Sequence, residues 1–240
     1  MNERFSRTAR LLGEEALTCL QGATVMVVGL GGVGGHAFEA LVRAGVGHLV
    51  CVDGDEIALS NCNRQLLATD QTLGQRKTAV ARLRAESICP EVRITEVDRH
   101  LTGEECAELL ATHRPDLVLD CIDTVSAKVG LALAAFAAGI PILACMSTGN
   151  KMDPTALRIS PLTDTHTCPL CRAVRRYLKD TPASALPVVW SAEPPMKAAP
   201  DTDGGGHPTP ASAPFVPPVA GILMARWAVG KLTEHIKEQE

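Results

Sequence analysis

Short apolar runs alternate with helical patterns through the first 150 residues of this 240-residue chain. A glycine-rich turn joins the first run to the first long helix, and an aspartate closes the second run. Together they predict an α/β fold: a Rossmann-like, doubly wound, mainly parallel sheet with a C-terminal extension and a mobile crossover loop. The elements follow in chain order. Residues 1–22 read as an N-terminal helix. Thr24–Gly29 (TVMVVG) is a buried strand, Gly32–Ala44 a helix and His48–Asp53 (HLVCVD) a second strand. A polar loop leads to a helix from about Gln75 to Ser87. Val92–Val97, Leu117–Cys121 and Pro141–Met146 are the next three strands, separated by helices at Gly103–Thr112 and Thr124–Ala138. Strands joined through single helices need crossovers, so the sheet is parallel.

After Asn150 the rhythm changes. Ala156–Ser160 reads as one more strand and Leu170–Lys179 as a short basic helix. Nine of the 16 prolines fall between Pro187 and Pro218, around Gly204–Gly206, which predicts a mobile loop over residues 187–214. Pro217 and Pro218 then open a last helix reaching Leu232, because the first helical turn does not need the missing N–H. The expected organisation is an N-terminal helix (1–22), a nucleotide-binding unit (23–150) and a C-terminal region for substrate and dimer contacts (151–240).

Composition narrows the class. Hydrophobic residues make up 46% and charged residues 21%, which excludes bulk disorder. With 23 basic and 27 acidic residues the net charge is −4, which excludes a generally basic nucleic-acid coat. Aromatics at 3% argue against single-strand binding through rows of stacked rings. Nine scattered cysteines, an odd number, point to reduced thiols and a cytoplasmic setting. Arg4, Arg7 and Arg10 interrupt any signal-peptide pattern. The apolar stretch Phe215–Val229 is short and carries Arg226, whereas a bilayer span needs about 20 apolar residues, so no membrane is expected.

The chemistry starts at Gly29-Leu30-Gly31-Gly32-Val33-Gly34, which follows a strand and opens a helix. Glycines let backbone approach phosphate, and the helix N-terminus supplies free N–H groups and a positive dipole. Asp53, ending the second strand, is placed to accept from ribose hydroxyls. That motif alone leaves NAD and ATP open. The following loop, DGDEIALSNCNRQ, gathers Asp53, Asp55, Asn61 and Arg64, and Lys77 opens the next helix. Nucleotidyl transfer needs such cations, because charge builds on the α-phosphate and the leaving pyrophosphate. Asp123, just past the fourth strand, suits Mg²⁺.

At these residues a resemblance becomes visible. RFSRTARLLG, VVGLGGVGG, AGVGHLVCVDGDEIALSNCNRQ, LGQRKTAVARLR and LDCIDTVSAK resemble the ubiquitin-activating-type (ThiF/MoeB-like) adenylating enzymes, which include the sulfur-carrier activators. GNKMDPTALRIS, CPLCRAVRRYL and FVPPVAGILMA are most similar to the tRNA threonylcarbamoyladenosine dehydratase branch. The resemblance runs from about Arg4 to Asp180 and resumes at Val188 and Phe215. It implies that Gly29, Gly31, Gly32 and Gly34 form an ATP loop and that Asp53 binds ribose. Asn61, Arg64 and Lys77 would contact the triphosphate, Asp123 would hold magnesium, and Asp55 would position loop groups or serve the metal. Lys128 matches a recurring lysine after the magnesium aspartate and is counted with the nucleotide-binding residues. Arg7 matches an arginine that reaches the partner subunit's nucleotide, which implies a homodimer. The implied reaction is ATP-dependent dehydration of threonylcarbamoyladenosine in tRNA through an acyl-adenylate, with a sulfur-transfer protein as a further partner.

Cys168-Pro169-Leu170-Cys171 has the spacing of half a zinc site, but no cysteine follows Cys171. Free thiols leading a helix are therefore expected, without zinc. The absence of cysteine from Leu186–Pro214 favours chemistry that ends without a protein thioester. Cys19, Cys51, Cys89, Cys106, Cys121 and Cys145 read as small core residues. Arg172, Arg175, Arg176 and Lys179 form a basic stripe at helical spacing, suited to a phosphate backbone. Lys151, beyond the fifth strand, is a candidate substrate contact. Three alternatives remain: adenylation of a sulfur-carrier or ubiquitin-like protein, an NAD-dependent oxidoreductase, and a non-catalytic nucleotide-sensing scaffold.

Overall fold

The structure, a computed structural model, describes residues 3–197 and 210–237. Seven strands form one sheet in the order β3-β2-β1-β4-β5-β7-β6. They are β1 (Thr24–Val28), β2 (His48–Val52), β3 (Arg93–Val97), β4 (Leu117–Asp120), β5 (Ile142–Cys145), β6 (Leu157–Pro161) and β7 (Pro187–Ser191). All neighbours pair in parallel except β6, which runs antiparallel to β7. The helices are α1 (Ser6–Leu12), α2 (Glu14–Gly22), α3 (Gly34–Ala44), α4 (Lys77–Ile88), α5 (Cys106–His113), α6 (Val125–Ala138), α7 (Pro169–Leu178), α8 (Val216–Leu232) and α9 (Glu234–Lys237).

Two cores explain the unbroken apolar runs. Val25 and Val27 of β1 face a cluster with residues of α3, α4 and α8. Met26 and Val28, on the opposite face of the same strand, pack with residues of α5, α6 and α7. A strand covered on both faces has no polar side to alternate with, so it reads as TVMVV rather than as a period-two pattern. The strand order reverses at β1, which lies between β2 and β4. In such sheets the crevice beyond the carboxyl ends of the strands at this point is the ligand site. Among the described residues no helix is long and apolar enough to cross a membrane.

Two expectations need correction. The N-terminal segment is two helices, not one, broken at Gly13, whose φ of +93° takes the chain out of helical geometry. The loop expected over 187–214 begins too early, because Pro187–Ser191 is a strand between β5 and β6 with Val188 to Ser191 buried. Val188, Val189 and Trp190 favour a buried strand, and Pro187 sits at its first residue, where a missing donor is tolerated. Residues 198–209 of that loop, with Gly204–Gly206, lie outside the described residues. Both flanks of the crossover attach to Asn150, a non-glycine residue at φ +57°. Met196 N–H donates to the Asn150 carbonyl (2.8 Å), and Ala211 N–H donates to its side-chain oxygen (2.8 Å).

Candidate active site

The glycine turn between β1 and α3 is built by close approach. Gly29 has φ +88°, and a Cβ there would lie 2.9 Å from the Cys121 carbonyl oxygen. A Cβ on Gly34 would lie 1.7 Å from the Gly29 carbonyl oxygen, so no larger residue fits. Asp53 holds the loop from the neighbouring strand. Its Oδ2 accepts the Leu30 N–H (2.6 Å), and its Oδ1 accepts the Asp55 N–H (2.9 Å).

A cavity of about 570 Å³ opens above this turn, the size of a nucleotide-type site. Gly29, Gly31, Gly32, Asp53 and Asp55 line it, with Asn61, Arg64, Lys77 and Asp123. These came from four separate stretches of sequence, and the fold brings them to one crevice. Lys77 opens α4, where the helix dipole disfavours a cation. It is nevertheless buried, because its Nζ lies 2.6 Å from Asp55 Oδ2 and 3.8 Å from Asp53 Oδ1. Arg64 Nη1 donates to the Ser60 carbonyl (3.0 Å) and to Asn63 Oδ1 (2.8 Å). Asn61 Oδ1 accepts the Ala58 N–H (3.1 Å), closing the short turn that presents Arg64. Asp123 is exposed at the start of α6, at the cavity.

Several lining residues escaped the sequence reading. Gln65 is buried, and among the described residues its Oε1 has no hydrogen-bond partner, which leaves an acceptor for a ligand donor. Its signal was present, since it ends the NRQ run. Arg99 and His100 reach the cavity from the loop after β3, with His100 Nε2 3.7 Å from Asp55 Oδ1. Ser147, Thr148 and Gly149 enter after β5. Residues just beyond each strand's carboxyl end were the available cue.

Residues 5–240 match the signature of the ThiF family. The chain belongs to the ThiF family. A tRNA threonylcarbamoyladenosine dehydratase of Bacillus subtilis (strain 168) is 35% identical over 248 residues, covering 99% of this chain and 97% of that protein. The crystal structure of E. coli tRNA N6-threonylcarbamoyladenosine dehydratase in complex with ATP superposes with a TM-score of 0.89 at 30% identity, covering 99% of this chain and 97% of that one. A molybdopterin-synthase adenylyltransferase of E. coli (strain K12) is 44% identical over 131 residues, but covers only 55% of this chain and 51% of the relative.

Three of the residues that the resemblance assigned to the nucleotide do not face this chain's cavity. Gly34 is buried in the turn and serves its closure. Arg7 is exposed on α1. Lys128 is wholly buried: its Nζ lies 2.9 Å from Asp120 Oδ1 and donates to the Cys145 carbonyl (2.9 Å). Burial pushes the Asp120 carboxyl up, against the pull of the Lys128 ammonium. Lys128 thus ties the carboxyl ends of β4 and β5 together, and its ammonium is not among the groups that line the cavity.

The basic stripe on α7 is also divided. Arg175 turns inward and donates from Nη1 to the Leu162 carbonyl (3.1 Å), the Thr165 carbonyl (2.6 Å) and Thr165 Oγ1 (2.8 Å). Arg172, Arg176 and Lys179 stay exposed, and the Arg176 guanidinium lies 5.2 Å from the ring centroid of exposed Tyr177. Arg175 seals the short turn at Leu162–Thr165 that precedes the helix, because position 175 adjoins the buried face marked by Cys171, Val174 and Leu178. Among the core cysteines, burial raises Cys51 to about 12, Cys106 to about 11 and Cys145 to about 12, so these thiols are inert near neutral pH. Cys19 and Cys121 are half-buried, and Cys62 in the nucleotide loop is exposed.

Proposed function

We propose that this ThiF-family protein is an ATP-dependent enzyme that cyclises N6-threonylcarbamoyladenosine in tRNA by dehydration through an acyl-adenylate. The observation that carries the reading is the grouping of Arg64, Lys77 and Asp123 around the glycine turn, charges that a phosphoryl-bearing transition state needs and a nicotinamide does not. Its full-length likeness to proteins of that name supports the substrate. The donor set fits Mg²⁺ shared with phosphates: Asp123 is a single exposed carboxylate, and among the described residues no three acidic, His or Cys side chains cluster into a cage. Bound there, the ion would supply charge neutralisation on the phosphate oxygens.

The chain's own groups then have distinct tasks. The Gly29–Gly32 backbone and the α3 N-terminus receive phosphate. Asp53 and Asp55 hold the Lys77 ammonium in place before nucleotide arrives, so its position costs no reorganisation during reaction. Arg64 meets charge on the leaving pyrophosphate. The threonine carboxylate attacks the α-phosphorus and pyrophosphate departs. A carbamoyl atom of the same modified base then closes on the activated carbonyl, releasing AMP and a proton; because the nucleophile is tethered, proximity supplies much of the rate. Mass spectrometry of nucleosides from threonylcarbamoyladenosine-containing tRNA, incubated with ATP and the protein, should show the cyclic form. An unchanged nucleoside with AMP transferred to a carrier-protein C-terminus would replace this reading with the sulfur-carrier one.

The enzyme acts in the cytoplasm as a homodimer in which Arg7 completes the partner's site. Its exposure on α1, away from its own cavity, supports that role. Arg7→Ala should lower turnover about tenfold or more while leaving ATP affinity of the chain's own cavity little changed, because a bidentate phosphate contact is lost. A mixed dimer of one Arg7→Ala chain and one Asp123→Ala chain should keep about half of wild-type activity, since both defects then fall in one composite site. A mixed dimer as inactive as its parents rejects sharing. A sulfur-transfer protein is the further partner that the resemblance implies.

Arg172, Arg176 and Lys179 are the tRNA-facing part of α7. Replacing all three by glutamine should raise KM for tRNA and flatten its dependence on log salt by up to about three units, about one per phosphate contact, with KM for ATP unchanged. Arg175→Gln should instead lower stability. An unaltered salt slope in the triple variant removes the helix from the tRNA interface.

A further inference from the structure

The two ends of the crevice serve the proposed reaction differently, and strand order sets them out. Asp53 follows β2, the glycine turn follows β1, Asp123 comes just after β4, and Ser147, Thr148 and Gly149 come after β5. On the reading above, the phosphates lie at the glycine turn and Asp123, with the nucleoside toward Asp53. The acyl group bonded to the α-phosphate then extends toward the β5 end. Residues 210–212 stand against that end. Pro210 and Ser212 line the cavity, and a Cβ on Gly149 would lie 2.8 Å from the Pro210 Cβ, so glycine lets the two segments meet.

Two asparagines hold this wall. Asn150 N–H donates to the Ala211 carbonyl (2.7 Å), and Asn150 Oδ1 accepts the Ala211 N–H (2.8 Å), so both backbone groups of Ala211 are gripped. The Asn150 carbonyl accepts the Met196 N–H (2.8 Å) from the other flank of the crossover. Asn63 Nδ2 donates to the Ser212 carbonyl (2.9 Å), while Asn63 Oδ1 accepts from Arg64 Nη1 (2.8 Å). One amide thereby joins the wall to the arginine that meets pyrophosphate. Asn150 stands at φ +57°, a conformation that glycine adopts at lower cost. Glycine has no side-chain oxygen to offer Ala211, and that acceptor is what an asparagine adds here.

We propose that Asn150 and Asn63 are positioning residues that fix residues 210–212 as the wall of the acyl end of the cavity, keeping water from the acyl-adenylate while the tethered carbamoyl group closes on it. The inference rests on the dehydratase reading above. An acyl-adenylate is a mixed anhydride, and water competes with the tethered nucleophile for its carbonyl carbon. When water wins, its oxygen bonds to that carbon, the bond to the phosphate oxygen breaks, and AMP and a proton leave. The original carboxylate returns, so one ATP is consumed and no cyclic nucleoside forms. The wall therefore sets how many AMP molecules are released for each ring closed.

The test uses the full chain with ATP, magnesium and threonylcarbamoyladenosine-containing tRNA, quenched within the first turnovers. AMP is counted by chromatography and the cyclic nucleoside by mass spectrometry. Wild-type protein should release about one AMP per ring, and Asn150→Gly and Asn63→Ala should each raise that ratio about threefold or more, as water reaches the intermediate. In ¹⁸O-water both variants should return threonylcarbamoyladenosine with more ¹⁸O in its carboxylate than wild type does. Asn150→Asp keeps the acceptor and tolerates the positive φ, so its ratio should stay near that of wild type. The ratio does not depend on how much of a variant folds. An unchanged ratio in both Asn150→Gly and Asn63→Ala, however slow they are, would overturn the wall and leave the dehydratase reading standing, and Asn150→Asp as leaky as Asn150→Gly would overturn the role of the acceptor. Wild-type protein that releases AMP with no cyclic nucleoside would overturn both readings.

Discussion

Asp123→Ala should leave the protein folded and lower ATP-dependent turnover by about 100-fold or more, equivalent to roughly 2.7 kcal/mol of transition-state stabilisation. Asp123 is exposed at the cavity and takes no part in either core cluster, so removing it deletes a charge rather than packing. Losing the carboxylate that would hold Mg²⁺ removes charge neutralisation at the moment pyrophosphate departs. Asp123→Asn keeps shape and hydrogen bonding but not charge, and should fall nearly as far. Both should demand more magnesium for half-maximal rate. AMP release, with a thermal melt as the control for folding, reads the outcome. Turnover within about twofold of wild type, in a variant that melts normally, would remove Asp123 from the chemistry and the adenylation assignment with it.

Lys128→Met should cost about 3–5 kcal/mol of stability, the usual price of leaving one member of a buried ion pair without its partner. For a chain of this size that corresponds to a fall in Tm of about 10 °C. Asp120 Oδ2 already has no hydrogen-bond partner among the described residues, and at Oδ1 the Lys128 ammonium supplies the one opposite charge beside the Ile122 N–H. Without the ammonium the carboxylate would have to take up a proton or draw water in. Adding Asp120→Leu to Lys128→Met removes the stranded charge, and the double variant should recover most of the loss. Denaturant midpoints for the two single variants and the pair give the coupling directly. ATP affinity should return together with stability in the double variant, because Lys128 acts by holding strand ends. Additive losses would refute the pair; a stable double variant still unable to bind ATP would restore a ligand role to Lys128.

The division between these two residues shows which information is local. Asp123 and Lys128 stand five positions apart in one motif, and by sequence both belonged to the nucleotide site. Helical rotation separates them: Asp123 precedes α6 at the cavity, whereas Lys128 is turned between β4 and β5. The same holds on α7, where Arg175 and Arg176 are adjacent, yet one seals a turn and the other faces solvent. Proline density misjudged Pro187–Ser191 for a related reason. Strand membership there depends on β5 and β6 as neighbours, whereas composition reports only on the chain's own flexibility.

Sequence alone determined the alternating α/β order, because a parallel strand must be apolar on both faces and therefore announces itself as a run. It also determined the phosphate turn, because the close approaches at Gly29 and Gly34 leave no other residue possible. The tertiary structure decided what depends on distant segments meeting. It brought Arg99, His100 and Ser147 to the crevice, tied Lys151 to the Ser191 carbonyl, and paired Lys128 with buried Asp120. Packing and charge pairing act across space, and only the folded chain sets those distances.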